Sequence, residues 1–212
     1  MEIKLIRHAD PNYEQDTITP VGHQQARMLA EKLENERIDK IFCSPLGRAQ
    51  DTMRYTAEKK QMTHQTLDWL AELNGCFDGE HWAWNMSGPY NLRLESVPTM
   101  EDWHVDSDYG AHMLGLYTSL AQSFDGLLSE LGYSREHQRY KIEEPTDDVI
   151  AVFCHEGLIK TLLGSLLHWP LPCVYSHIRI SPSSVTNLLW KNNDGYAVPR
   201  VTALNDLSHL NH

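Results

Sequence analysis

The chain has 212 residues, enough for one full-sized α/β domain and too few for two with separate large cores. An apolar fraction of 41% and a charged fraction of 22% are ordinary globular values, which leaves no support for disordered, collagen-like or repeat classes. The formal charge of -11 argues against nucleic acid or an anionic membrane as main partner, yet screening at cellular salt lets a few local arginines dominate one pocket, so a small anionic substrate is allowed.

Residues 2–6 are short and apolar-rich, the pattern of a strand that runs out into a polar loop over 9–18. Thr19 and Pro20 then suit an N-cap and first helical turn, and Ala26, Leu29, Ala30 and Leu33 share one helical face. Residues 40–43 predict a second strand, after which Ser44-Pro45 repeats the cap-plus-proline signature before Leu46, Ala49, Met53 and Thr56. A βαβ unit is the economical reading. The region 76–110 has no clear period and holds Trp82, Trp84 and Trp103, so it reads as an irregular insertion or cap over the site. Met113, Leu116, Tyr117, Leu120, Phe124, Leu127, Leu128 and Leu131 then form the clearest amphipathic helix. The continuous run over 149–153 predicts a parallel strand buried on both faces, followed by a helix carrying Leu158, Ile159, Leu162, Leu163, Leu166 and Leu167 that ends before Pro170. Residues 185–190 and 198–204 are read as the final strands.

Three polar positions stand at outgoing strand ends, where α/β proteins place ligands: Arg7-His8, Ser44 through Arg48, and His155. Arg48 falls in the first turn of its predicted helix, where free N–H groups and the positive dipole end favour an anion. Each signal alone is ordinary. Two arginines and two histidines converging after three strands would make a phosphate pocket.

The segment LIRHADP resembles the Arg-His-Gly signature of the histidine phosphatase superfamily, which includes the cofactor-dependent phosphoglycerate mutases. ITPVGHQQA, SPLGRAQDT, LAELNG and VFCHEG resemble its later segments in the same order, over residues 3–160. The resemblance implies a three-layer α/β/α sandwich with a mostly parallel central sheet, here as a single domain over 1–212 with the cap at about 76–112. It makes His8 the phosphorylated nucleophile, Arg7, Arg48 and His155 the phosphoryl-oxygen ligands, and Glu72 the proton donor, with Asp78 and Glu80 its rivals. Ala9 replaces the usual glycine, and the loop lacks the usual asparagine, leaving Asn12, Tyr13 and Thr17 as candidates for that phosphate contact.

The implied activity is phosphomonoester hydrolysis of a small metabolite through phosphohistidine, with no metal or other cofactor. A mutase needs extra cations for its more anionic ligands, whereas Arg93 is the one lysine or arginine between Glu72 and Tyr133, against acidic residues that include Asp78, Glu80, Glu95, Glu101, Asp102, Asp106 and Asp108. A non-catalytic phosphate-binding scaffold is the third reading. A cysteine phosphatase fails because Cys43 and Arg48 have only four residues between them, and twelve histidines offer no metal-protease pairing. Four cysteines without a disulfide pattern, and a start that runs directly into a strand, predict a reducing cytoplasm. No window reaches transmembrane length, and no signal sets the oligomeric state.

Overall fold

The computed structural model describes residues 1–75, 81–85, 98–105 and 110–210. A six-stranded sheet has the order β11-β9-β1-β8-β4-β5, formed by Pro199–Asp206, Val185–Trp190, Glu2–Arg7, Val149–Cys154, Lys40–Cys43 and Gln65–Thr66. β1 pairs parallel with β8, β8 with β4, and β4 with β5, while β9 runs antiparallel to both β1 and β11. The sheet is therefore mostly parallel, as expected.

Strand alternation divides the core into two layers, because successive side chains point to opposite faces. Ile6, Ile41, Ala151 and Phe153 pack with Leu29 and Leu33 of α1 (Pro20–Glu34) and Ala49 and Met53 of α2 (Gly47–Lys60). Ile3, Leu5, Ile150 and Val152 pack the other way, against Leu120, Phe124 and Leu127 of α3 (Gly110–Glu130) and Leu158 and Leu162 of α4 (Glu156–Leu167). This is the three-layer α/β/α sandwich. The apolar run of β8 is buried on both sides because each neighbour face is a helix layer. A short helix α5 (Leu171–His177) follows Pro170.

Several elements differ from the sequence reading. Thr19 does cap α1, its hydroxyl accepting from Gly22 N–H at 3.0 Å. Ser44 does not cap α2, which starts at Gly47 after Leu46 with no side-chain cap. Its hydroxyl instead accepts from Leu46 N–H at 3.2 Å and meets His155 Nε2 at 2.7 Å, so tertiary contact takes the oxygen that local chemistry would have used. The 9–18 loop contains a hairpin, β2 (Pro11–Asn12) with β3 (Thr17–Ile18). A second hairpin, β6 (Tyr133–Glu136) with β7 (Arg139–Ile142), joins β10 (Tyr196–Ala197) in a three-stranded sheet that the sequence reading passed over. Of the expected 76–112 cap, residues 81–85, 98–105 and the start of α3 are described; Trp84 and Trp103 are buried in a cluster with Met113 and Tyr175. Asp78, Glu80 and Arg93 lie outside the described residues.

Candidate active site

The register of the sheet brings the three predicted positions level. Arg7 lies beside Cys154, and Cys43 beside Phe153, so His8, Ser44 and His155 leave the sheet at one edge. His8 and His155 are buried, with ring centroids 5.2 Å apart. His8 Nδ1 lies 2.8 Å from the Ala9 carbonyl, and since a carbonyl only accepts, Nδ1 carries the proton and Nε2 keeps its lone pair. Burial holds the His8 ring's pKa down at about 3, the Arg7 and Arg48 charges pushing the same way against the Ala9 bond. His155 is likewise lowered by burial and by its neighbours His8, Arg48 and Arg7.

Arg7 Nη1 donates to Glu156 Oε2 and to the Ile180 carbonyl, both at 2.6 Å. Arg48 Nη1 donates to Asp16 Oδ1 at 2.5 Å, and Asp16 Oδ2 accepts Gly47 N–H at 2.7 Å. The expected free N–H at the start of α2 is thus held by a carboxylate of the chain itself. Three buried nitrogens from three distant segments, Arg7 Nε, Arg48 Nε and His155 Nδ1, have no hydrogen-bond partner. Such groups are costly in a dry interior and well suited to the oxygens of a tetrahedral anion.

Glu72 is no solvated carboxylate. It accepts Leu73 N–H at 3.0 Å, Leu158 N–H at 3.1 Å and Gly157 N–H at 3.2 Å, the last two being donors at the start of α4. Burial raises its carboxyl above the usual range even against these three bonds, which favour the charged form. Glu72, Arg7, Arg48 and Tyr13 line one cavity of about 630 Å³. Asn12 does not: its Oδ1 accepts Gln15 N–H at 3.2 Å, closing the turn of its own hairpin. Thr17 is also engaged elsewhere, donating to Asp51 at 2.5 Å. Of the three candidates from that loop, Tyr13 reaches the cavity, its ring 5.4 Å from the Arg48 guanidinium carbon.

The sequence profile of the histidine phosphatase superfamily (branch 1) matches residues 3–101. The chain is thus similar to the histidine phosphatase superfamily over just under half of its length. Among curated relatives, the adenosylcobalamin/alpha-ribazole phosphatase of Escherichia coli is 25% identical over 190 residues, covering 85% of each chain. The Salmonella typhimurium protein of the same description is 23% identical over 190 residues, covering 85% of this chain and 86% of its own. A phosphoserine phosphatase mutant of Entamoeba histolytica solved with phosphoserine shares the fold at TM-score 0.68 and 18% identity, covering 99% of this chain and 98% of its own. The alpha-ribazole phosphatase of Shigella flexneri does so at TM-score 0.61 and 22% identity, covering 98% and 97%. The chain is a phosphomonoester hydrolase.

Asp16, Glu156 and Lys160 lie near the site without a place in the sequence analysis. Asp16 has no local signal at all. Ser44, expected at a ligand-bearing strand end and as a helix cap, stands at the site against His155 and does not cap. Glu156 and Lys160 form a buried pair at 2.8 Å, and Glu156 also holds Arg7. Their i,i+4 spacing on an otherwise apolar helix face was a readable sign.

Proposed function

We propose that the chain hydrolyses the phosphomonoester of a small metabolite through a phosphohistidine on His8. Arg7, Arg48 and His155 bind the phosphoryl oxygens and neutralise charge on them. His8 Nε2 attacks phosphorus, the ester P–O bond breaks, and Glu72 gives its proton to the departing alkoxide. A water then attacks the phosphohistidine while the Glu72 carboxylate takes its proton, releasing phosphate and restoring the imidazole.

The observation that carries this reading is the state of His8: a neutral ring, fixed in one tautomer by the Ala9 carbonyl, between two guanidiniums. A nucleophile must be unprotonated at working pH, and a pKa of about 3 meets that need with room to spare. The raised Glu72 carboxyl supports the acid role. Among the described wall residues, the only lysine or arginine side chains are Arg7 and Arg48, which favours hydrolysis over transfer between highly anionic phosphoglycerates. The relatives act on different esters by their descriptions, so they support the reaction class rather than one substrate.

The test is a broad panel of ³²P-labelled monoesters quenched in alkaline detergent. Wild type is expected to release phosphate and to retain acid-labile, alkali-stable label, and His8→Ala to do neither. Phosphoglycerate isomerisation without phosphate release would favour the mutase reading. Neither label nor turnover on any ester would leave a phosphate-binding protein.

A further inference from the structure

Phosphate chemistry accounts for only one part of the cavity, since about 630 Å³ is far larger than a phosphoryl group. Beyond the arginines, the described wall includes Leu73, Asn74, Trp82, Trp84 and Asn85. The charged side chains in the wall are already engaged: Arg7 with Glu156, Arg48 with Asp16, and Glu72 with backbone N–H groups. Among the described residues, a charged leaving group would find no complementary partner there.

Trp82 is 40% exposed and lies on Trp84 with ring centroids 5.1 Å apart and planes 19° apart. Trp84 itself is buried and tightly seated. A Cβ on Gly157 or on Gly75 would come within 2.5 Å of the Trp84 ring, so these two bare backbones are what admit it. The Trp84 carbonyl accepts the buried Lys160 ammonium at 2.7 Å, Lys160 pairs with Glu156 at 2.8 Å, and Glu156 pairs with Arg7 at 2.6 Å. The stacked pair is therefore tied to the arginine of the phosphate site, and one indole faces the cavity from a fixed base.

We infer that Trp82 is the floor of a leaving-group subsite that takes an uncharged, planar aromatic ring attached to the alcohol of the substrate ester. This rests on the hydrolase reading above and adds the class of substrate. A stacked ring gains contact with a preordered indole at little entropic cost, worth roughly tenfold in discrimination.

The test compares 2-phenylethyl phosphate with ethyl phosphate, whose leaving alcohols are both primary and differ by the ring. Wild type is expected to prefer the ring-bearing ester about tenfold in kcat/KM. Trp82→Ala is expected to abolish that preference and Trp82→Phe to keep most of it. Equal use of the two esters by wild type, or a preference surviving in Trp82→Ala, overturns the inference. Calorimetric affinities of both esters for His8→Ala separate the two readings. If wild type turns over neither ester yet His8→Ala binds the ring-bearing one about tenfold tighter, the subsite stands and hydrolysis fails. Equal affinities sink the subsite.

Discussion

Glu72 has two attachments that pull in opposite directions: backbone donors that favour its anion, and burial that favours its proton. Whether it acts as an acid is read from leaving groups. Glu72→Gln is expected to lower kcat/KM by roughly 10²–10⁴-fold for an alkyl ester, whose alkoxide needs a proton. For 4-nitrophenyl phosphate, whose phenolate departs unaided, the loss is expected to be much smaller. An equal loss on both would mean that Glu72 acts only by holding the start of α4. His8 gives a separate prediction for stability. Its pKa is lowered from 6.5 to about 3 on folding, so the folded state resists protonation that the unfolded chain accepts. The stabilisation is fully present above pH 6.5 and is lost as pH falls from there toward 3. Urea unfolding at pH 7.5, 5.5 and 4.5 is expected to show a shallower loss for His8→Asn than for wild type. Parallel curves would place the acid sensitivity elsewhere.

At the level of elements, the start of α4 carries the site: His155 is its N-cap, Glu72 accepts two of its first N–H groups, and Trp84 lies against Gly157. Gly157→Ala sets two effects against each other. Helix propensity alone favours alanine by up to about 1 kcal/mol. The added methyl would meet the Trp84 ring at 2.5 Å, and that ring is buried with Gly75 close on it as well. Overpacking is expected to win, lowering the thermal midpoint; a raised midpoint would show that the indole yields freely. The same stretch shows where sequence reading succeeds and fails. The apolar faces of α1, α3 and α4 were visible because burial imposes a 3.6-residue period. Ser44 was misread because its hydroxyl serves His155, a partner 111 residues away. The β6–β7 hairpin was missed because short strands with charged residues such as Arg135, Glu136, Arg139 and Lys141 carry no clean alternation.

Across the whole molecule, a formal charge of -11 repels an anionic ester at long range, while the attracting arginines act only near contact. At low salt the Debye length is about 30 Å, and at physiological salt about 8 Å, so added sodium chloride quenches the repulsion first. The rate constant kcat/KM for a phosphate monoester dianion is expected to rise between 10 and 150 mM salt. A fall would mean that the local field of Arg7 and Arg48 governs approach.

The sequence by itself determined the layered α/β architecture and the segments after three strands that carry His8, Arg48 and His155, because hydrophobic period and local motif spacing are properties of neighbouring residues; the class of reaction came through the resemblance of those motifs to a known family. Only the tertiary structure decided that Asp16 holds Arg48, that Asn12 turns back on its own hairpin, and that Lys160 ties the Trp84 backbone to Glu156 and Arg7. Those are contacts between polar groups far apart in the chain, or choices among several nearby partners. Hydrogen bonding and charge pairing are satisfied by whichever partner the packed core delivers, and no local pattern records that choice.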